Sequence, residues 1–382
     1  MRPTCNVLLL MAALAGCQKP IELAWEFEGG SGSRGSPALT ADLVLYGDEA
    51  GYLTAIDRSD GSLRWRFATS KEIIGAPAVD ALHAYVGSTN YSLYGVDLSM
   101  GRAVWEWPTH DRIKGPPALA GGIVYAGSYD GHMYAVRAAT GKLVWQFPVD
   151  SAGAPVISDV PPAQTPVGAQ PARAAAYATG APKAFSYARP LVAGGVVYAG
   201  NLDGDVYAFD ARTGALRWRV ATGGGVTSSP AADHGVLYFG SNDHKVYALE
   251  NLGGAAPSIG WTFPTGDQVN AGPLVVDGAL YIGGTDKVFY ALDAATGKKK
   301  WSYSLPGPIY GRAVVYQNLV FVGVGVGGGG LYAFDRQTGR LFWHYDIGPN
   351  RIQNDLSLDG NHLFVVTGSG NLLAFQINKT KG

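Results

Sequence analysis

Cysteine is nearly missing from this 382-residue chain: there are two, Cys5 and Cys17, both within the first 17 residues. The body beyond them has no disulfide, no thiolate metal site and no Cys nucleophile, so it must hold together by packing. Charge is also sparse, at 15% of residues, and balanced at 29 Lys+Arg against 30 Asp+Glu for a net of -1. With no basic surplus to neutralise phosphates, this argues against a nucleic-acid partner. What the chain does have is 54 Gly, 21 Tyr and 9 Trp within a 47% hydrophobic composition. Together these describe a turn-rich, strand-rich globular protein, and the expectation is an all-β fold.

The first residues read as an export signal. Arg2 precedes an apolar run over 7–15, then Ala15 and Gly16 lead to Cys17. The run is too short to span a bilayer as a helix, which takes about 20 apolar residues. Leu14-Ala15-Gly16-Cys17 resembles the lipobox of bacterial lipoproteins. The resemblance implies that residues 1–16 are a signal peptide and that Cys17 is lipidated, becoming the first residue of a cell-envelope protein held to its membrane. Gln18 stands where an Asp would, by the enterobacterial sorting rule, retain the protein at the inner membrane, so the analogy favours the outer membrane with the body facing the periplasm. Residues 17–21 are left as a linker, 22–378 as the body and 379–382 as a tail.

The spacing of Trp organises the body. Trp25, Trp65, Trp105 and Trp145 stand 40 apart, followed by Trp218 after 73, Trp261 after 43, Trp301 after 40 and Trp343 after 42. A period in the 40s marks a repeat architecture. Each period runs from a segment such as GSPAL, GAPAV or AGPLV into an apolar strand such as VYAGS or LYIGG, then through a polar turn into a second strand such as YALDAATG. In six repeats a Gly precedes the Trp by four residues: Gly61, Gly101, Gly141, Gly214, Gly297 and Gly339. Gly takes positive φ without strain, as a hairpin turn requires. The repeated acids Asp57, Asp97, Asp210, Asp293 and Asp335 suit capping of that turn.

Four short strands per period follow. The N-terminal end supplies only the last strand of a period, around Trp25, whereas the C-terminal end supplies the first three and no Trp. The fragments complement each other and predict an eight-bladed β-propeller of four-stranded antiparallel blades, closed by the first strand pairing with the last three. The eight periodic Trp are then structural docking residues. Burying about 150–250 Å² of each at about 25 cal/mol/Å² sets an upper bound of about 4–6 kcal/mol per Trp. The 73-residue gap contains an extra stretch near 151–187, rich in Ala and Pro, with Tyr177, Phe185 and Tyr187 as apolar anchors. It reads either as a loop without fixed structure or as one that docks a partner or covers the channel mouth.

Tyr290-Ala291-Leu292-Asp293-Ala294-Ala295-Thr296-Gly297-Lys298 followed by Trp301 resembles the tryptophan-docking repeat of pyrroloquinoline quinone (PQQ) enzymes, and the resemblance recurs over 22–378. Two branches of that superfamily apply. The quinoprotein dehydrogenases use PQQ with calcium, and many carry a vicinal Cys pair that this body lacks. The propeller lipoprotein of the outer-membrane β-barrel assembly machinery is a non-enzymatic scaffold with the same lipobox, blade number and approximate length. The second branch implies no cofactor, a membrane contact through the lipid anchor and an envelope protein partner such as an outer-membrane insertase subunit. A PQQ-dependent dehydrogenase and a ligand-sensing envelope propeller stand as alternatives.

No catalytic constellation stands out. The seven His show no pair at metal-ligand spacing. One pattern is sharper. The slot before the aligned Pro is small in five repeats, at Ser36, Ala76, Pro116, Ser229 and Gly272, but charged in three, at Arg189, Arg312 and Asp355. Because innermost strands line a propeller channel, these three form a candidate channel cluster, read either as a functional channel surface or as an internal ion-pair network.

Overall fold

A computed structural model of the chain describes residues 19–148, 183–185, 187–253 and 256–378. Cys17 and its lipobox, Tyr177 and most of the 151–187 stretch, and the tail 379–382 lie outside the described residues. The described chain forms thirty-two strands in eight four-stranded sheets, all pairing antiparallel, with no helix among the described residues.

The sheets are the blades of a propeller ring. Blade 1 runs outward through Ala38–Leu39, Leu43–Gly47, Tyr52–Asp57 and Leu63–Ala68. Blades 2 to 7 repeat this order over 78–108, 118–147, 191–221, 231–264, 274–304 and 314–346. Blade 8 is split: Ser357–Asp359, His362–Val366 and Leu372–Ile377 are completed on the outside by Ile21–Phe27. Ile21 pairs with Ile377 and Phe27 with Leu372, so the two chain ends close the ring. That first strand begins at Ile21, one residue before the boundary read from the sequence.

Burial follows position in the blade. The second and third strands are buried nearly throughout, because both their faces are covered by neighbouring blades, which is why their sequences are continuously apolar. Outer strands such as Leu63–Ala68 alternate between exposed and half-buried residues, as one-sided strands do. The core is accordingly distributed over the eight seams between blades, each with its own apolar cluster; at one seam Trp145 packs with Tyr125, Val197 and Phe209.

Each Trp reaches its seam through a repeated backbone device. Opposite every periodic Trp stands a small residue: Ala374 faces Trp25, Ala55 faces Trp65, Gly95 faces Trp105, Ala135 faces Trp145, and Ala208, Ala248, Ala291 and Ala333 face the remaining four. At that same point the register of the third and fourth strands shifts by a bulge in every blade. A bulge turns one side chain out of the regular alternation. Here it accompanies an indole that crosses to the next blade.

In the six repeats that have it, the Gly four residues before the Trp has a second role that sequence spacing hides. Gly214, at φ +73°, lies under the Trp of the preceding blade: a Cβ there would stand 2.6 Å from Trp145 Cδ2. Gly61, Gly101, Gly141, Gly297 and Gly339 sit in the same way beneath Trp25, Trp65, Trp105, Trp261 and Trp301. Positive φ and the lack of a Cβ are needed together, for the turn and for the indole above it.

Trp145 is 1% exposed, and its indole N–H donates to the Ala211 carbonyl of blade 4 at 2.9 Å. Replacing Trp145 with Ala removes both the packing and the bond and is expected to cost about 3–5 kcal/mol. Chemical or thermal unfolding checks this; an unchanged unfolding midpoint contradicts the docking role.

Candidate functional site: the channel ring and the blade rim

The turns carrying the repeated acids are capped as their residue types suggest. Asp210 Oδ1 accepts the amides of Arg212 and Thr213 at 3.1 and 3.0 Å, and Asp57, Asp97, Asp293 and Asp335 do the same in their own blades. The Arg217 guanidinium, opposed by partial burial and helped by Thr213, holds the Asp210 carboxyl down at about 2. These acids are committed to structure. A second set of Asp residues, in the hairpin between second and third strands, accepts Tyr hydroxyls: Tyr134 donates to Asp130, Tyr207 to Asp203 and Tyr290 to Asp286, at 2.6–2.8 Å.

The channel slot forms a chain of polar contacts from blade to blade. Arg189 N–H donates to Ser229 Oγ at 2.8 Å, Arg312 N–H to Asp355 Oδ1 at 2.8 Å, and Asp355 N–H to Ser36 Oγ at 2.9 Å. In each case a backbone amide of one blade is received by the side chain in the same slot of the next blade. One position earlier the pattern continues, with Ser228 Oγ donating to the Ala271 carbonyl and Asn354 Nδ2 to the Gly35 carbonyl. The structure thus brings Arg312 and Asp355 together through an amide and a carboxylate, and among the described residues no ion pair joins any two of Arg189, Arg312 and Asp355.

The Arg312 side chain takes a longer path. Its Nη2 donates to the Ser229 and Pro230 carbonyls at 3.4 and 3.3 Å, two blades away. It crosses over Gly272 of blade 6, where a Cβ would stand 3.2 Å from both Nε and Nη2 of Arg312. The small residue in one slot therefore makes room for the large one in the next. Arg189 has its Nε buried with no hydrogen-bond partner, as does Arg312. Burial pushes the Arg189 guanidinium below its ordinary range, with the Asp355 charge opposing that shift and the Arg312 charge adding to it.

These donors do not fit a calcium-held quinone. Calcium takes six to eight oxygen ligands, several from carboxylates. Of the eight slot residues only Asp355 is a carboxylate, its Oδ1 accepts the Arg312 amide, and among the described residues no three His, Cys, Asp or Glu converge to hold a metal.

The blade rim is the other candidate surface. In five of the eight blades the outer strand exposes a large apolar side chain two residues before the Trp, at Leu23, Leu63, Leu216, Ile259 and Leu341, whereas Leu143 at the same position is buried. The Trp period marks the docking residue but not this companion position, which holds Leu or Ile in six of the eight repeats. Each outer strand also presents a backbone edge with no further strand beyond it.

A Gly272→Val substitution should push the Arg312 guanidinium off the Ser229 and Pro230 carbonyls, at a cost of about 1–3 kcal/mol. A crystal structure with an unmoved Arg312 and an unchanged unfolding midpoint would contradict this reading of the ring.

Two solved structures show the same architecture. The computationally designed Ika8 protein matches with a TM-score of 0.72 at 16% identity, over 91% of this chain and 97% of that one. BamB from Moraxella catarrhalis matches with a TM-score of 0.71 at 18% identity, over 93% of this chain and 99% of that one. A design and a natural protein at nearly equal likeness speak to the fold alone. No curated protein matches the sequence. The family model described as outer membrane protein assembly factor BamB does match, over residues 22–251 and again over 202–381. With both matches together spanning all eight blades, the chain belongs to the BamB family.

Proposed function

We propose that this chain is a lipid-anchored scaffold of the bacterial cell envelope that serves outer-membrane protein assembly by binding protein partners and has no catalytic chemistry of its own. The match of the assembly-factor family model to both halves of the ring carries this reading. The geometry supports it. A closed ring offers outer-strand edges flanked by exposed apolar residues, Ile259 and Leu341 among them, and an extended partner segment can add to such an edge as a further strand. Arg64 and Arg66 on the outer strand of blade 1 keep that edge from pairing indiscriminately.

The mechanism is positional. Lipid on Cys17 would tether the ring four residues before its first strand at Ile21, a reach of roughly 14 Å in an extended chain. The body then stays beside the membrane, and with Gln18 after the lipidated Cys that membrane is the outer one, with the ring on its periplasmic side. The partner is an outer-membrane insertase subunit, met by the rim.

A photo-crosslinking residue at Leu341 in intact cells should capture an integral outer-membrane insertase subunit, and Cys17→Ser should move the protein from the membrane to the soluble fraction. Capture of soluble periplasmic enzymes alone contradicts the assembly role.

A further inference from the structure

The channel holds positive charge that the docking of blades does not use. Arg189 lies on blade 4 and Asp355 on blade 8, diametrically opposite in a ring of eight. Yet after burial the Asp355 charge is the leading influence on Arg189, followed by that of Arg312 on blade 7. The two arginines also meet geometrically: the Arg189 backbone amide donates to Ser229 Oγ, and Arg312 Nη2 donates to the carbonyl of the same Ser229 in the innermost ring. Arg312 arrives there along a chord, from blade 7 to the carbonyls of blade 5.

Neither guanidinium is fully satisfied. The Nε of each is buried without a partner, and no hydrogen bond engages the Arg189 side chain among the described residues. A buried cationic donor left unpaired carries its full desolvation cost, and a second cation in the same ring adds repulsion. Asp355 is the one carboxylate among the eight slot residues, and one of its oxygens already accepts the Arg312 amide. The remaining slots, Ser36, Ala76, Pro116, Ser229 and Gly272, contribute no charge. Three residues before the aligned Pro stand Arg34, which pairs with Glu49, and Lys114, which lies 4.7 Å from the Tyr129 ring centroid and donates to Tyr187 Oη at 3.3 Å.

We propose that the propeller channel is a binding site for a small oxyanion, phosphate or carboxylate, held between the Arg189 and Arg312 guanidinium groups. An oxyanion supplies what the ring lacks: acceptors for the two buried Nε–H groups and a negative charge between the two arginines. The planar guanidinium fork matches phosphate and carboxylate oxygens alike. Seated there, the anion would tie blades 4, 5 and 7 together across the opening, since Arg312 already holds the Ser229 carbonyl. The site is independent of the rim and of the partner assigned to it.

Titration calorimetry of the purified full chain at low salt tests this, with inorganic phosphate in one arm and succinate in the other. Saturable one-site binding in either arm is expected, and the arm that binds assigns the anion class. Arg189→Gln and Arg312→Gln should each weaken binding roughly ten- to hundredfold. Arg217→Gln, which alters an exposed turn pair, should leave it unchanged. Binding in neither arm, or binding unaltered in Arg189→Gln, overturns the proposal. Independently of how the variants fold, a selenate soak of wild-type crystals should give an anomalous peak between Arg189 and Arg312; a channel without one overturns it as well.

Discussion

At three seams of the ring a single backbone carbonyl receives two side-chain donors from the preceding blade. The Ala211 carbonyl accepts Trp145 Nε1–H and Tyr125 Oη–H at 2.9 and 3.1 Å; the Ala294 carbonyl accepts Trp261 and Tyr238, and that of Arg336 accepts Trp301 and Tyr281. Both lone pairs of the carbonyl are thereby used. The indole also donates across the seam from Trp65 to Leu98, from Trp105 to Ala138 and from Trp218 to Leu252. Such an interaction is directional, so it fixes the angle of one blade on the next, whereas the surrounding apolar contact supplies most of the energy. Each net hydrogen bond is worth about 1 kcal/mol, and a fully buried Trp several times that. The small residue opposite each Trp, the bulge beside it and, under six of the eight, the positive-φ Gly beneath it all serve to present the indole to that seam.

A seam that fixes an angle matters because the angles must close. Blade 8 has no fourth strand of its own until Ile21–Phe27 returns to it, so the ring is complete only when the chain ends meet. Closure removes the two open ends that a stack of the same blades would expose. It leaves eight outer edges and one central opening as the surfaces free to do something else. The rim carries exposed apolar residues suited to a protein partner, and the opening carries cations suited to a small anion, so the two surfaces differ in chemistry as well as in place.

Much of this was legible in the sequence because period, Trp and turn Asp are local signals. The 40-residue spacing and the split last blade follow from where the Trp-bearing motif recurs and where it is missing, and the capping by Asp210 follows from residues two and three positions on. What escaped was contact between repeats. Gly214 looks like a turn residue for Trp218, four residues on, but the indole it lies under is that of Trp145, 69 residues back. Nothing local signals that separation. In the same way the charged slot at Arg189, Arg312 and Asp355 stood out, but its partners did not. Arg312 reaches backbone carbonyls, which carry no residue type, over a Gly whose relevance is the space it leaves. The apolar companions of the Trp, such as Ile259, carry no signal of their exposure, because periodicity alone does not say which side of an outer strand meets solvent.

Ring closure underlies every other claim, and native-state hydrogen exchange measures it without altering the chain. In a closed ring Leu372–Ile377 is an interior strand, paired to His362–Val366 on one side and to Ile21–Phe27 on the other. Its amides should then be protected as strongly as those of Val288–Asp293, the corresponding strand of blade 6. Fast exchange at alternate amides of Leu372–Ile377, the signature of a free edge, would show that the first strand does not hold the last blade, and the closed propeller would have to be abandoned.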